Sequence, residues 1–326
     1  MPRDTTLTLT GWRRFVDTSP PQLALLPETQ WTQLSVADRH TYDEQRIDYH
    51  SEMIVVATSA VREVTHQGRL LTLLNRREIS ARRGLIVSGP STTGKSTALK
   101  QLGRTHELNV RQRHPGTDRI PVVYVTTPPK GSPRKLAAEF ARFLGLPPIK
   151  PRYNVTDIAD AVCHVLSEAR TDLVLVDEIH NLNLATSAGE DMSDHLKYFT
   201  EHLPATFVYA GIDVARQGLF TGVRGRQIAG RCVMVKTGQF PYQEEWKRLV
   251  ATLESALRLH RHDPGTLTGL DRYLHQRTGG SIGSLSHLIR AAALTAIIEG
   301  SESITKDLVD HIPVDHAAEQ DAQVSA

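Results

Sequence analysis

Five short apolar runs divide the middle of the chain: Leu85-Ile86-Val87, Pro121-Val122-Val123-Tyr124-Val125, Leu173-Val174-Leu175-Val176, Thr206-Phe207-Val208-Tyr209-Ala210 and Cys232-Val233-Met234-Val235. Stretches with apolar residues at helical spacing separate them. Within each run the hydrophobic positions are continuous rather than alternating, so both faces of each strand must be covered. That pattern predicts a five-stranded parallel sheet sandwiched by helices, an α/β fold. Upstream, Met53-Ile54-Val55, Ala60-Val61, Val64, Leu70-Leu71 and Leu73-Leu74 recur at helical spacing and predict one or two helices before the first strand. After Gln239-Phe240-Pro241 the strand-type runs stop. Only helical patterns follow, broken by Asp263-Pro264-Gly265 and Thr278-Gly279-Gly280, which predicts a small all-helical domain. The chain therefore divides into an extended, polar N-terminal segment (1–45, anchored by Trp12, Phe15 and Trp31), a core (46–240), a helical lid (241–312) and a tail (313–326) that lacks apolar periodicity and reads as disordered. On the first lid helix, Tyr242, Trp246, Leu249, Leu253 and Leu257 share one face and read as lid core rather than as a base-stacking surface.

Composition narrows the choice of partners. The 326 residues carry 38 Lys plus Arg against 36 Asp plus Glu, a formal charge of +2, so any contact with nucleic acid has to be local. Cys163 and Cys232 sit singly in apolar surroundings, outside any CxxC or zinc pattern, and read as buried thiols in a reducing compartment. The N-terminus lacks a basic stretch leading into an apolar one, and no apolar run approaches the ~18 residues of a membrane helix, so the expectation is a cytoplasmic protein without a membrane partner. Of the 15 histidines, His164, His260 and His262 lack a third ligand at metal spacing, and no protein-built metal site is expected.

The chemistry is concentrated in two places. Gly89-Pro90-Ser91-Thr92-Thr93-Gly94-Lys95-Ser96, followed by Thr97, lies between the first apolar run and a helical pattern. Glycines in such a loop let successive N–H groups point at phosphate oxygens, and the following helix adds its positive N-terminal end. Lys95 is then expected to reach the outer phosphates of ATP, and the Ser96 hydroxyl to ligate Mg²⁺. The third apolar run ends in Asp177-Glu178, at the strand edge where open α/β sheets bind ligands. Asp177 is placed to hold the Mg²⁺ shell and Glu178 to polarise the attacking water, because phosphoryl transfer needs charge stabilisation and a positioned nucleophile. A small-molecule kinase would share the phosphate loop, but nothing resembles an acceptor site and the adjacent acids suit water.

Two acids in sequence, five strands and a helical appendix together look like an AAA+ ATPase with a P-loop NTPase core. Beyond those motifs, Tyr49-His50, Thr58-Ser59-Ala60-Val61-Arg62-Glu63-Val64, Asn75-Arg76-Arg77, Arg83-Gly84-Leu85-Ile86-Val87-Ser88-Gly89, Val176-Asp177-Glu178-Ile179-His180-Asn181-Leu182 and Thr278-Gly279-Gly280-Ser281-Ile282-Gly283 resemble the TniB family of transposon ATPases, relatives of TnsC, IstB and MuB. The resemblance spans roughly residues 46–300. It implies an ATP-dependent regulator that forms a homo-oligomeric ring or filament on double-stranded target DNA. Such a regulator recruits or activates a TniA-like DDE transposase, has room for a TniQ-like target selector, and is reset by ATP hydrolysis. The open alternative is an AAA+ signalling or secretion ATPase acting on a protein.

The resemblance also assigns outlying residues. An arginine from one subunit completes the neighbour's site, and Arg226 and Arg231 stand where the family keeps it, with no choice between them. Lys130, Arg134 and Lys135, after the second strand, are the candidate DNA contacts. Two departures imply a slow, switch-like ATPase. The fourth strand ends in Ala210-Gly211-Ile212-Asp213, where a polar sensor is expected, so that Asp213 or a backbone group substitutes or turnover is slower. Ser284 stands where an arginine commonly touches nucleotide, leaving lid sensing muted or served by Arg290.

Overall fold

The computed structural model describes residues 5–52, 54–147, 154–182, 187–214 and 229–314. In chain order the helices are α1 (Leu9–Asp17), α2 (Glu28–Thr32), α3 (Val36–Ser51), α4 (Ser59–Leu74), α5 (Lys95–Arg113), α6 (Pro133–Phe143), α7 (Val155–Glu168), α8 (Ser187–His202), α9 (Glu244–Ser255), α10 (Thr266–Gly269), α11 (Asp271–Thr278), α12 (Ile282–Ile298) and α13 (Lys306–His311). The strands are β1 (Gly84–Ser88), β2 (Val122–Thr126), β3 (Leu173–Asp177), β4 (Thr206–Gly211) and β5 (Cys232–Lys236). Among the described residues no single helix is long and apolar enough to cross a membrane.

The five expected strands form one parallel sheet in the order β2-β3-β4-β1-β5. Every residue of β1, β3 and β4 is buried, which is why their runs are continuous. The edge strand β5 leaves Met234 40% exposed. This order matters for the site. Because β4 lies between β1 and β3, the loops leaving all three strands emerge side by side at one edge.

The described chain divides into two units: residues up to Thr18 with Ser59–Thr237, and Ser19–Thr58 with Gly238–Ala326. The expected extended segment over 1–45 is corrected accordingly. It forms helices, and it contributes to both units. In the sheet unit, Trp12 of α1 is fully buried, donates from Nε1 to Glu107 Oε2 at 2.6 Å and stacks with Tyr124 of β2 at 5.7 Å. Gly103 on α5 makes room for it, since a Cβ there would stand 2.7 Å from the indole. Cys163 is buried in this unit, whereas Cys232 is only half-buried, and burial pushes both thiols up to about 12.

The helical unit has its own core, with Trp246, Leu249, Leu253, Leu285, Leu288 and Ala292 buried. Tyr242 stays 40% exposed and Leu257 packs only partly against that core, so the shared face is narrower than its spacing suggests. The boundary expected at residue 46 falls inside α3, because Arg46 is wholly buried in this unit. Its guanidinium grips Glu302 with NH1 to Oε2 at 2.5 Å and NH2 to Oε1 at 2.7 Å. A buried bidentate pair of this kind is strongly destabilising to break, because one partner is left as an unpaired charge.

The residues from Pro313 were expected to be a disordered tail; all but Pro313 and Val314 lie outside the described residues.

His50, at the end of α3, gives the helical unit a pH dependence. Burial, together with Arg46, Arg258 and Arg290, pushes its imidazole down to about 4, and Nε2 accepts the Arg258 N–H at 3.2 Å. The unfolded chain takes up a proton near 6.5 and the folded one only near 4, so stability is complete above 6.5 and is lost as pH falls through that window. Lowering pH from 7.5 to 5 is expected to cost the unit about 2 kcal/mol through this residue. His50→Gln, which keeps an acceptor, should remove that share in denaturant titrations at the two pH values. An identical pH response in both proteins would exclude His50 as the source.

Candidate nucleotide site

The loop after β1 is shaped by close approach. At Gly89 a Cβ would stand 2.2 Å from Thr237 O, so only glycine fits beside the end of β5. Thr92 and Gly94 take the left-handed conformation at φ 58° and 84°, and α5 starts directly after, at Lys95. The turn thus ends on the free N–H groups of a helix N-terminus, an anion cradle. Thr93 Oγ1 pins the loop, donating to Pro90 O at 2.9 Å and pairing with Thr237 Oγ1 at 2.8 Å. Ser91 and Thr92 are exposed, and Ser96 and Thr97 are half-buried in the first turn of α5. Lys95 is only 6% exposed, and its Nζ donates to Gly89 O at 3.0 Å and to Pro90 O. Burial lowers its pKa, while Glu178, Asp177 and Asp213 act in the opposite direction. The ammonium therefore shares one electrostatic environment with all three carboxylates.

The end of β3 delivers the acids. Asp177 is 2% exposed, and both its oxygens accept hydrogen bonds, Oδ2 from the Tyr124 hydroxyl at 2.8 Å and Oδ1 from the Glu178 N–H at 2.9 Å. Burial and the charge on Asp177 push the Tyr124 phenol far above its ordinary value, which keeps it a donor. Lys100 of α5 lies 5.3 Å over the Tyr124 ring, and burial lowers its pKa against the pull of Asp177. Glu178 sits just beyond the strand at φ 54°, its side chain 37% exposed. Its Oε2 is 3.1 Å from His180 Nε2, and His180 Nδ1 accepts the Ile212 N–H at 3.2 Å.

Residues 46–236 match the family model "Bacterial TniB protein", more than half of the chain. The chain belongs to the TniB family. The TniB chain is also similar in fold to origin-recognition proteins of Aeropyrum pernix. One is ORC1 in complex with DNA, at TM-score 0.58 and 18% identity, covering 84% of this chain and 67% of that one. Another is ORC2 in its ADP form, at TM-score 0.60 and 20% identity, covering 82% and 71%. Cdc6p of Pyrobaculum aerophilum has TM-score 0.55 and 14% identity, covering 78% of this chain and 66% of that one. At these identities the likeness establishes the AAA+ fold. No curated protein matches the chain.

The donor set of this TniB protein suits Mg²⁺ with a nucleotide. Ser96 and Asp177 offer hard oxygens of the kind Mg²⁺ prefers, and phosphate and water oxygens would complete its shell. Sequence reasoning missed Tyr124, hidden in an apolar run, and Thr237, the anchor of the loop. His180 and Asn181 stand in the acidic motif, but the motif by itself assigns neither a role.

Other expected residues fall elsewhere. Arg231 is exposed at the start of β5 and its carbonyl accepts the Gly84 N–H at 3.0 Å. Thr237 lies six positions further on, about 20 Å along the strand, so Arg231 cannot act on its own loop. A cavity of about 220 Å³ at that far edge is lined by Arg82, Arg83, Lys197, Glu201 and Arg231. Arg226 lies outside the described residues. Arg290, the alternative lid sensor, donates from Nε to His50 O at 3.0 Å and from a terminal nitrogen to Ser51 O. Ser284 is 1% exposed in the first turn of α12. Asp213 is exposed at φ 44°.

Lys130 stands exposed at φ 50°, ahead of α6, whose N-cap Ser132 accepts the Lys135 N–H. Lys135 Nζ reaches back to Lys130 O at 3.2 Å, and Arg134 is half-buried. Two cations in a first turn oppose the helix dipole, so this placement does not serve helix stability. The loop is tied to the turn after Glu178. Gly131 N–H donates to Asn181 O at 3.1 Å, and Asn181 Nδ2 donates to Thr127 O at 3.0 Å.

Proposed function

We propose that this TniB protein is an ATP-driven assembly switch that oligomerises on double-stranded DNA, recruits or activates a TniA-like DDE transposase, works with a TniQ-like selector, and is released by hydrolysis. The observation that carries the proposal is the turn Glu178–Leu182, which joins the nucleotide edge to the basic loop through Asn181 and the Gly131–Leu182 bridge. Gly89 to Thr97 hold the phosphates, with Lys95 as the point charge among them. Ser96 and Asp177 would hold Mg²⁺, which when bound would neutralise charge on the phosphates. Glu178 takes a proton from water as the water oxygen bonds to the γ-phosphorus. The bond from that phosphorus to the bridging oxygen breaks, and its electron pair leaves with ADP. Arg231 or Arg226 of a neighbouring subunit stabilises the charge that develops there. Ile212 has no polar side chain and Ser284 no guanidinium at the positions where the family's sensors stand, which favours slow turnover and therefore a timer.

The test uses the full chain, duplex DNA and sedimentation at several salt concentrations. ATP with Mg²⁺ should produce large DNA-bound species, and Lys130→Ala, Arg134→Ala and Lys135→Ala should each flatten the log–log salt slope by about one unit. ATP-dependent assembly indifferent to DNA would favour a protein-directed ATPase instead. No larger species under any condition would refute the switch.

A further inference from the structure

Directly after β4 comes Ile212, whose side chain has no hydrogen-bonding group, at the position where a polar sensor is expected. The backbone takes part instead: Ile212 N–H donates to Nδ1 of His180 at 3.2 Å. That bond decides the tautomer. Nδ1 offers its lone pair, so in the neutral ring the proton lies on Nε2, facing Glu178 Oε2 at 3.1 Å. The imidazole, its side chain 16% exposed, therefore spans the end of β4 and the carboxylate after β3. Glu178 needs such a second anchor. It stands past the last paired residue of β3 in the left-handed region, where strand pairing does not set the direction of its side chain.

We infer that His180 is a positioning residue for ATP hydrolysis: held by the Ile212 amide, it fixes Oε2 of Glu178 and leaves Oε1 to take the proton of the attacking water. The inference rests on the reading of Glu178 as the water-activating group. It also explains how a chain with Ile212 at this position keeps β4 connected to the reacting end of the nucleotide.

Two isosteric half-replacements separate positioning from scaffolding. The amide of Asn reaches only as far as Nδ1, so His180→Asn keeps the Ile212 bond and loses Glu178. The amide of Gln extends to Nε2, so His180→Gln keeps a donor for Glu178. With Mg²⁺, ATP and duplex DNA, kcat is expected to fall roughly 10- to 100-fold in His180→Ala and His180→Asn, with KM and nucleotide affinity within about two-fold of wild type. His180→Gln is expected to recover most of the loss. Full activity in His180→Asn, an unchanged or raised kcat in His180→Ala, or a KM shift that accounts for the loss would each overturn the inference. If His180→Ala does not fold, the Asn and Gln pair decides alone. A Glu178→Gln enzyme as fast as wild type would remove the underlying reading and this inference with it. An inactive Glu178→Gln beside a fully active His180→Ala would remove this inference alone.

Discussion

Glu178→Gln is expected to leave ATP binding intact while lowering turnover on the order of 10²- to 10⁴-fold, so that ATP-dependent assemblies on DNA accumulate instead of dispersing. The amide has the shape of the carboxylate and still offers an oxygen to His180 Nε2, 3.1 Å from Oε2 in the wild-type chain. Its backbone at φ 54° is also no harder for Gln than for Glu. What disappears is the ability to accept a proton from water. Fluorescent-nucleotide titration would report binding, single-turnover hydrolysis the chemical step, and sedimentation of DNA-bound species the assembly. Wild-type turnover in this variant would exclude Glu178 as the base. Loss of binding would mean that the carboxylate matters for electrostatics around Lys95 rather than for water.

Lys95→Ala is expected to abolish nucleotide binding at ordinary ATP concentrations, and with it every ATP-dependent assembly. The Nζ lies inside the loop, bonded to Gly89 O and Pro90 O, at a place only 6% exposed. A hydrogen bond to a charged group contributes about 1.5–3 kcal/mol, so losing two to phosphate weakens binding roughly 10²-fold or more. The loop itself is pinned independently by Thr93 and Thr237, and the variant should therefore fold and melt close to wild type. Binding within about three-fold of wild type would place the phosphates elsewhere. The two variants differ in kind: one removes the ligand, the other stops the clock with the ligand in place.

The parts of the site legible in the sequence are those whose chemistry is local. The sheet follows from continuous apolar runs, and the loop from glycines adjoining a helix start. The acids are recognisable because they close a buried strand. Tyr124 shows why other parts were not legible. As one residue of an apolar run it reads as core, and only the pairing of β2 with β3 puts its hydroxyl on Asp177. Arg290 shows the converse. Its position in the sequence invites a nucleotide contact, and only the fold shows that two of its nitrogens bond backbone carbonyls at the end of α3.

Taken alone, the sequence determined that this chain holds a phosphate loop, an acidic strand end and a five-stranded α/β core, because each is specified by neighbours within a few residues. Its motifs also pointed to the TniB family. Tertiary structure decided what those parts touch. It brought His180 between Glu178 and Ile212, carried the basic loop to Asn181, and buried Arg46 against Glu302, a partner 256 residues away. The reason is physical: periodicity and propensity act over one or two turns, whereas a buried polar group must find its partner wherever the fold supplies one.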